Sequence, residues 1–186
     1  MEDNRIVELF FARDEAALRL TREKYGRYLY AIAYGILQDA GDAQECENDT
    51  YLCAWQQIPP QQPRVLSAFL GAIARRQALD RYRHRHTAKR GGGVADLSLT
   101  ELEECVPAGS TVYDGVESRE LAAAISAFLH TLPEEECDLF LRRYWYMDSI
   151  SALAQRYNCS QGRIRIWLMR TRRRLRDRLQ QEGMIE

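Results

Sequence analysis

Ile150-Ser151-Ala152-Leu153-Ala154-Gln155-Arg156-Tyr157-Asn158-Cys159-Ser160-Gln161-Gly162-Arg163-Ile164-Arg165-Ile166-Trp167-Leu168 holds two short helical periodicities with a three-residue polar break between them. Ile150, Leu153, Ala154 and Tyr157 recur at steps of three and four, the spacing of one buried helix face. Asn158 follows four residues after Ala154, where the chain must turn through a left-handed conformation that Asn tolerates. Ser160 is placed to cap the next helix, and Ile164, Trp167 and Leu168 then fall where that helix packs on the first. A small residue at the crossing, a left-handed turn residue and an apolar residue six positions beyond are the demands of a helix-turn-helix. The outward face carries Gln161, Arg163, Arg165, Met169, Arg170, Arg172 and Arg173. An ordinary helical hairpin with a solvated Arg face would not need that turn spacing.

The rest of the chain is also helical in character. Ile6, Leu9, Phe10, Arg13, Ala17 and Leu20 predict one amphipathic helix, and Tyr25, Leu29, Ile32, Ala33 and Ile36 a second. Gly41 is expected in the turn after Asp39, and Asp42 as the cap of a third helix, with Glu45 completing a capping box. That helix must stop before Pro59-Pro60. A fourth runs from about Val65 to His86. Residues 91–116 read as an acidic flexible linker, opened by Gly91-Gly92-Gly93 and punctuated by Pro107, Gly109 and Gly115. Its Leu97, Leu99, Leu102 and Val106 leave room for a short docked helix. Helices resume at Glu117 and break at Thr131-Leu132-Pro133, with Pro133 suited to the first helical position. No alternating strand pattern of useful length occurs. The expected fold is all-α: a four-helix domain over 1–90, the linker over 91–116, and a helix-turn-helix domain over 117–186.

With 186 residues, 46% of them hydrophobic and 28% charged, the chain suits one or two small cored domains and excludes a fibrous or wholly disordered protein. No apolar run approaches the ~18 residues of a membrane span. Met1-Glu2-Asp3-Asn4 lacks the layout of a signal peptide, so a cytoplasmic location and no membrane insertion are expected. Cys46, Cys53, Cys105, Cys137 and Cys159 are too dispersed for a zinc site or a disulfide framework, and read as reduced, mostly buried thiols.

The net charge of −1 conceals segregation, and 24 of the 26 basic residues are Arg. Residues 75–90 carry seven basic residues against Asp80 alone, and 160–182 carry eight Arg against Asp177 and Glu182. Residues 39–49 hold five acids and 91–117 hold six, with no base in either. Such blocks predict partners of opposite charge rather than a salt-bridged surface. In Arg75-Arg76-Gln77-Ala78-Leu79-Asp80-Arg81-Tyr82-Arg83-His84-Arg85-His86, Arg and aromatic residues interleave on a helix, which suits a phosphate-tracking surface with stacking partners for bases. A solvated helix end favoured by the dipole is the plainer account. His84 and His86 are two apart and do not share a helix face, so no metal or cofactor is expected. Asp42, Glu45, Asn48 and Asp49 lie on one side of the third helix. They form either a solvated face or a docking face for a basic protein. No phosphate loop, nucleophile–base pair or metal cluster accompanies them, and no enzyme is expected.

Three segments carry a resemblance. Asp42-Ala43-Gln44-Glu45-Cys46-Glu47-Asn48-Asp49 resembles the Asp-Ala-Glu-Asp-x-x-Gln-Glu helix of sigma-70 family RNA polymerase sigma factors. Ala68-Phe69-Leu70-Gly71-Ala72-Ile73-Ala74-Arg75-Arg76-Gln77-Ala78-Leu79-Asp80-Arg81-Tyr82-Arg83 is similar to their Ala-Trp-Leu-x-x-Ile-Ala-Arg-Asn-x-x-Ile-Asp-x-x-Arg segment. Gln161-Gly162-Arg163-Ile164-Arg165-Ile166-Trp167-Leu168-Met169-Arg170-Thr171-Arg172-Arg173-Arg174-Leu175 is similar to their Glu-Gly-Thr-Val-Lys-Ser-Arg-Leu-x-Arg-Ala-Arg-x-x-Leu recognition helix. The order and spacing resemble the short extracytoplasmic-function (ECF) group, over about residues 5–90 and 118–182.

The resemblance implies a transcription initiation factor whose partners are core RNA polymerase and promoter DNA, and it admits an anti-sigma factor. Asp42, Glu45, Asn48 and Asp49 would dock on basic helices of the polymerase. The loop 58–67 would hold a flipped minus-ten base, and Arg64, Arg75, Arg76, Asp80, Arg81 and Arg83 would serve the melted strand. The helix with Ser160, Gln161, Arg163, Arg165, Ile166, Met169, Arg170 and Arg173 would read the minus-thirty-five element. The acidic linker would run into the RNA-exit path. Arg76 stands where the family has Asn, Ile166 and Trp167 where Ser and Arg are common, and Gln44 and Asn48 weaken the acidic pattern. Two rivals remain at this point. One is a helix-turn-helix regulator that no longer binds polymerase, and the other a small nuclease using His84, His86 and nearby acids.

Overall fold

The computed structural model describes residues 3–86, 94–103, 105 and 116–185. Among these the chain is all-α, with nine helices and no strand. It divides into two units, residues 1–91 and 92–186.

The first unit contains α1 (Asp3–Phe11), α2 (Ala16–Leu37), α3 (Ala40–Gln57) and α4 (Leu66–His86). The single helix expected from Ile6 to Leu20 is interrupted. Arg13 takes a left-handed φ of 55°, and its guanidinium donates to the Trp55 carbonyl at 2.5 Å. Asp14 then accepts the Ala16 N–H at 2.8 Å, which starts α2 afresh. From there α2 runs unbroken to Leu37 and absorbs the expected second helix. Gln38, left-handed at φ 53°, ends it. Asp39, not Asp42, caps α3: its carboxylate accepts the Asp42 N–H at 2.9 Å. The extended conformation of Asp39 directly after left-handed Gln38 places that side chain over the helix end, so Gly41 lies inside the first turn. Leu29, Ile32 and Ile36 of α2 close a core with Cys46 of α3 and Leu70 and Ile73 of α4.

The second unit contains α5 (Val94–Glu103), α6 (Val116–His130), α7 (Glu134–Tyr144), α8 (Ile150–Arg156) and α9 (Gln161–Gln181). Its core joins Leu121 and Phe128 of α6, Leu139 and Phe140 of α7, Leu153 of α8, and Ile164, Leu168 and Leu175 of α9. Pro133 sits one position earlier than expected, as the extended residue that caps α7 (φ −54°, ψ 147°). Within the stretch expected as flexible linker, residues 94–103 are helical. Ser98 is buried, and Leu102 and Cys105 join the core of this unit. Gly91, Gly92, Gly93, Pro107, Gly109 and Gly115, read as linker punctuation, lie outside the described residues, as does Val106 of the expected docked helix. All five cysteines are free, but only Cys46 and Cys105 are buried.

Candidate functional site

Two surfaces gather the residues singled out by the sequence. The first lies along α3 and α4. Asp42, Glu45 and Asp49 fall within about 60° of one another at 100° per residue, and that stripe faces α4. Arg81 of α4 reaches across with both arms, Nη1 donating to Glu45 at 2.8 Å and Nη2 to Asp49 at 2.5 Å. One turn further along α4, Arg85 pairs with Asp42. The Arg81 hydrogen bond, reinforced by its charge, holds the Glu45 carboxyl below its usual range. The opposite charges expected on separate surfaces are therefore neutralised against each other here, because α3 and α4 are packed neighbours. Arg85 was missed as a partner, although its position four residues after Arg81 marks the same flank of α4.

Asn48 does not share this stripe. It turns toward α2, where Arg22 donates to its Oδ1 at 3.0 Å. On that side Glu47 is buried, accepting from the Tyr51 hydroxyl at 2.6 Å and the Gln44 amide at 2.9 Å. A Cβ at Gly26 would sit 3.1 Å from Glu47 Oε1, so the missing side chain admits this carboxylate between α2 and α3. Burial, then the Glu47 hydrogen bond, raises the Tyr51 hydroxyl and keeps it a neutral donor.

The remaining α4 residues divide by helical position. Arg76, Asp80 and Arg83 are exposed and recur along the solvent stripe, with Arg83 3.7 Å from Asp80. Arg75 is half-buried on another flank, and Arg64 is exposed just before α4. Arg81 thus stands apart from the other candidate Arg residues, facing α3.

The second surface is α9. Ser149 and Ser160 cap α8 and α9, accepting from Ala152 at 3.1 Å and Arg163 at 3.2 Å. Asn158 is left-handed at φ 48°. Ala154, Ile164 and Leu168 are buried at the crossing, and Trp167 meets Tyr157 edge-on at 6.1 Å. These are the contacts of the helix-turn-helix, and they fix how α9 is rotated. Gln161, Arg163, Arg165, Ile166, Met169, Arg170 and Arg173 are exposed, with Ser160 at the head of the helix. Arg165 reaches back to the Gln161 side chain at 3.4 Å.

Arg172, expected on the outward face, points inward. Its Nη1 donates to the Tyr144 hydroxyl at 2.6 Å and lies 3.6 Å from Glu101. Its place one turn from buried Leu168 and Leu175 explains the difference, since the long stem covers apolar surface on the way to that pair. Arg174 pairs with Glu136 at 2.9 Å. Among the described residues, no carboxylate pairs with Arg163, Arg165, Arg170 or Arg173. So Arg172, Arg174 and Arg178 of α9 are neutralised by carboxylates, and Arg163, Arg165, Arg170 and Arg173 are not. Among the described residues, no group of three or more His, Cys, Asp or Glu could hold a metal ion. No described helix is long and apolar enough to cross a membrane.

The sequence model of Sigma-70 region 2 matches residues 22–87, and that of Sigma-70, region 4 matches residues 128–177. Together they span well over half of the chain. The chain belongs to the sigma-70 family. The region 2 match takes in most of α2 and all of α3 and α4, hence the whole Arg81 cluster. The region 4 match runs from the end of α6 into α9 and contains both caps and the left-handed turn. Sigma-70 proteins are transcription initiation factors that recognise promoter DNA; they are not enzymes. Comparison with curated proteins finds no match.

Proposed function

We propose that this sigma factor is of the ECF group, binds core RNA polymerase in the cytoplasm, and directs it to promoters through two separate DNA contacts. The observation that carries this reading is the set Arg163, Arg165, Arg170 and Arg173, left without carboxylates on a capped helix-turn-helix while Arg172, Arg174 and Arg178 of the same helix are paired. A helix presenting several unneutralised guanidiniums gains most from a phosphate-lined groove. Ser160, Gln161, Arg163, Arg165, Ile166, Met169, Arg170 and Arg173 then face the minus-thirty-five element. Arg64, Arg75, Arg76, Asp80 and Arg83 serve the melted minus-ten strand, and Arg81 joins them once polymerase engages its carboxylates. Asp42, Glu45 and Asp49 form the docking stripe for polymerase, with Asn48 at its edge.

The cross-helix pairing gives the rival reading its support. A regulator that had lost polymerase binding would keep these acids satisfied internally by Arg81 and Arg85. Co-purification with core polymerase separates the two, and run-off transcription from a genomic promoter library tests the whole assignment. A chain that starts no transcripts and is not retained by polymerase would be the regulator instead.

A further inference from the structure

The outer face of α9 is not uniformly basic. Ile164, Leu168, Thr171 and Leu175 are buried and define the inward direction. At 100° per residue Ile166 lies roughly opposite that direction, with Met169 about 60° from it. These two side chains are 50% and 52% exposed, so the centre of the outward face is apolar. Arg163 and Arg170 border it on one side and Arg165 on the other, and Arg173 closes it about two turns further along, nearly in line with Ile166. A shallow cleft of about 190 Å³ opens there, lined by Arg163, Ile166, Trp167 and Arg170. One turn before Ile166, Gly162 carries no side chain, and a Cβ there would meet only Ser160 Oγ, at 3.9 Å. The N-terminal part of this face is therefore low as well as apolar, and can approach a surface closely.

We propose that Ile166 and Met169 read thymine, packing against the C5-methyl groups of one or two thymines on the floor of the major groove. The inference rests on α9 being the major-groove helix. Two half-exposed apolar side chains gain nothing from water. Their guanidinium neighbours select a polyanion as the surface that covers them, since a protein partner would have to bring several carboxylates to the same face. On the floor of a B-form major groove the apolar group is the thymine methyl, and aliphatic contact with it distinguishes thymine from cytosine. Burying one methyl contributes roughly what burying a methylene does, about fourfold in affinity. Ile166 thus changes what the helix selects: a methyl pattern is read alongside whatever the Arg residues bond.

The test uses the full chain bound to core polymerase. Duplexes selected by this complex from a random library are resynthesised with each thymine of the upstream protected segment replaced singly by 2′-deoxyuridine. That exchange removes the methyl and leaves every hydrogen-bonding group in place. The expected result is a loss of about fourfold at one or two positions, absent in Ile166→Ala or Met169→Ala at the same positions. Both variants alter exposed side chains, and circular dichroism checks that they remain folded. A selected sequence with no deoxyuridine-sensitive position overturns the proposal and leaves the groove assignment standing. Sensitivity that persists in both variants also overturns it, by placing methyl reading elsewhere. Failure to enrich any upstream sequence removes the groove assignment itself, and the proposal with it.

Discussion

Arg143, almost fully buried on α7, is held by Glu101 of α5 through two parallel hydrogen bonds, Nη2 to Oε1 at 2.8 Å and Nε to Oε2 at 3.1 Å. The third arm of the guanidinium donates to the Asp148 carbonyl at 3.0 Å, just ahead of the Ser149 cap of α8. The Tyr144 hydroxyl adds a bond to Glu101 Oε2 at 3.1 Å. One carboxylate from the segment expected as linker therefore neutralises a cation inside the helix-turn-helix unit. A bidentate, largely desolvated pair of this kind fixes geometry more than it adds net stability, but removing one partner strands the other.

Glu101→Gln should destabilise the second unit by about 2–3 kcal/mol, somewhat below the usual cost of breaking a buried pair because Glu101 itself is partly exposed. Trp145 and Trp167 report this unit and Trp55 the other, so urea unfolding followed at each resolves where the loss falls. Replacing both partners, as Glu101→Leu with Arg143→Met, should recover most of it. A single substitution that left the second unit unchanged would mean that α5 is dispensable to it.

Arg81 connects the two roles proposed for the first unit. In the proposed docking, polymerase has to draw Glu45 and Asp49 away from this guanidinium, which would free the side chain for phosphate. Arg81→Ala should bind core polymerase as tightly as the native chain or a few times more tightly, since its carboxylates are already released. It should nevertheless open promoter DNA poorly. Measuring polymerase affinity and permanganate-reactive melting side by side checks the split; a parallel loss of both would place Arg81 in the docking contact alone. The same pairing means that Glu45→Lys with Asp49→Lys would repel Arg81 as well as polymerase. A lowered melting temperature should accompany that loss of binding.

The pairing also sets a pH dependence with a definite sign. Glu45 is held below its ordinary value of 4.5, first by the Arg81 hydrogen bond and then by its charge. The contribution is therefore fully present above 4.5 and disappears as pH falls through the lower folded-state value. A carbon-detected NMR titration should place the Glu45 midpoint below 4.5, and Arg81→Ala should return it to about the ordinary value. An unshifted midpoint in the native chain would show that the pair does not persist in solution.

What the sequence made legible was local. The helix-turn-helix was readable because its parts, Ala154, Asn158, Ser160 and Ile164, interact within ten residues. The long-range pairs were not readable. Arg81 to Glu45 spans 36 residues and Arg143 to Glu101 spans 42, and charge blocks alone do not reveal which helices become neighbours. That is why opposite blocks suggested external partners while the fold pairs many of these charges internally. The break at Arg13 was hidden for a related reason. A left-handed Arg carries no sequence signature, and its hydrogen bond to Trp55 forms only once α3 is in place. Arg172 was misplaced because a one-residue step decides between the inner and outer sides of α9.

On the proposed groove assignment, Arg165 and Arg173 of the same helix have different tasks. Arg165 adjoins Ile166 and sits over the first two turns of α9, where a recognition helix meets base edges. Arg173 lies seven residues beyond Ile166, about 10 Å along the axis at ~1.5 Å per residue, where the proposed docking would carry the helix toward a phosphate wall. Arg165→Ala should therefore relax preference at one base pair, a G by the commonest pairing of Arg in the major groove, and cost about 1–3 kcal/mol on promoter DNA. Arg173→Ala should weaken binding to every duplex alike and lower the salt slope by about one. Salt titrations of both variants on a selected promoter and on its scrambled counterpart measure these quantities directly. Equal loss on the two DNAs for Arg165→Ala would reduce that residue to a phosphate clamp and leave base reading to its apolar neighbours.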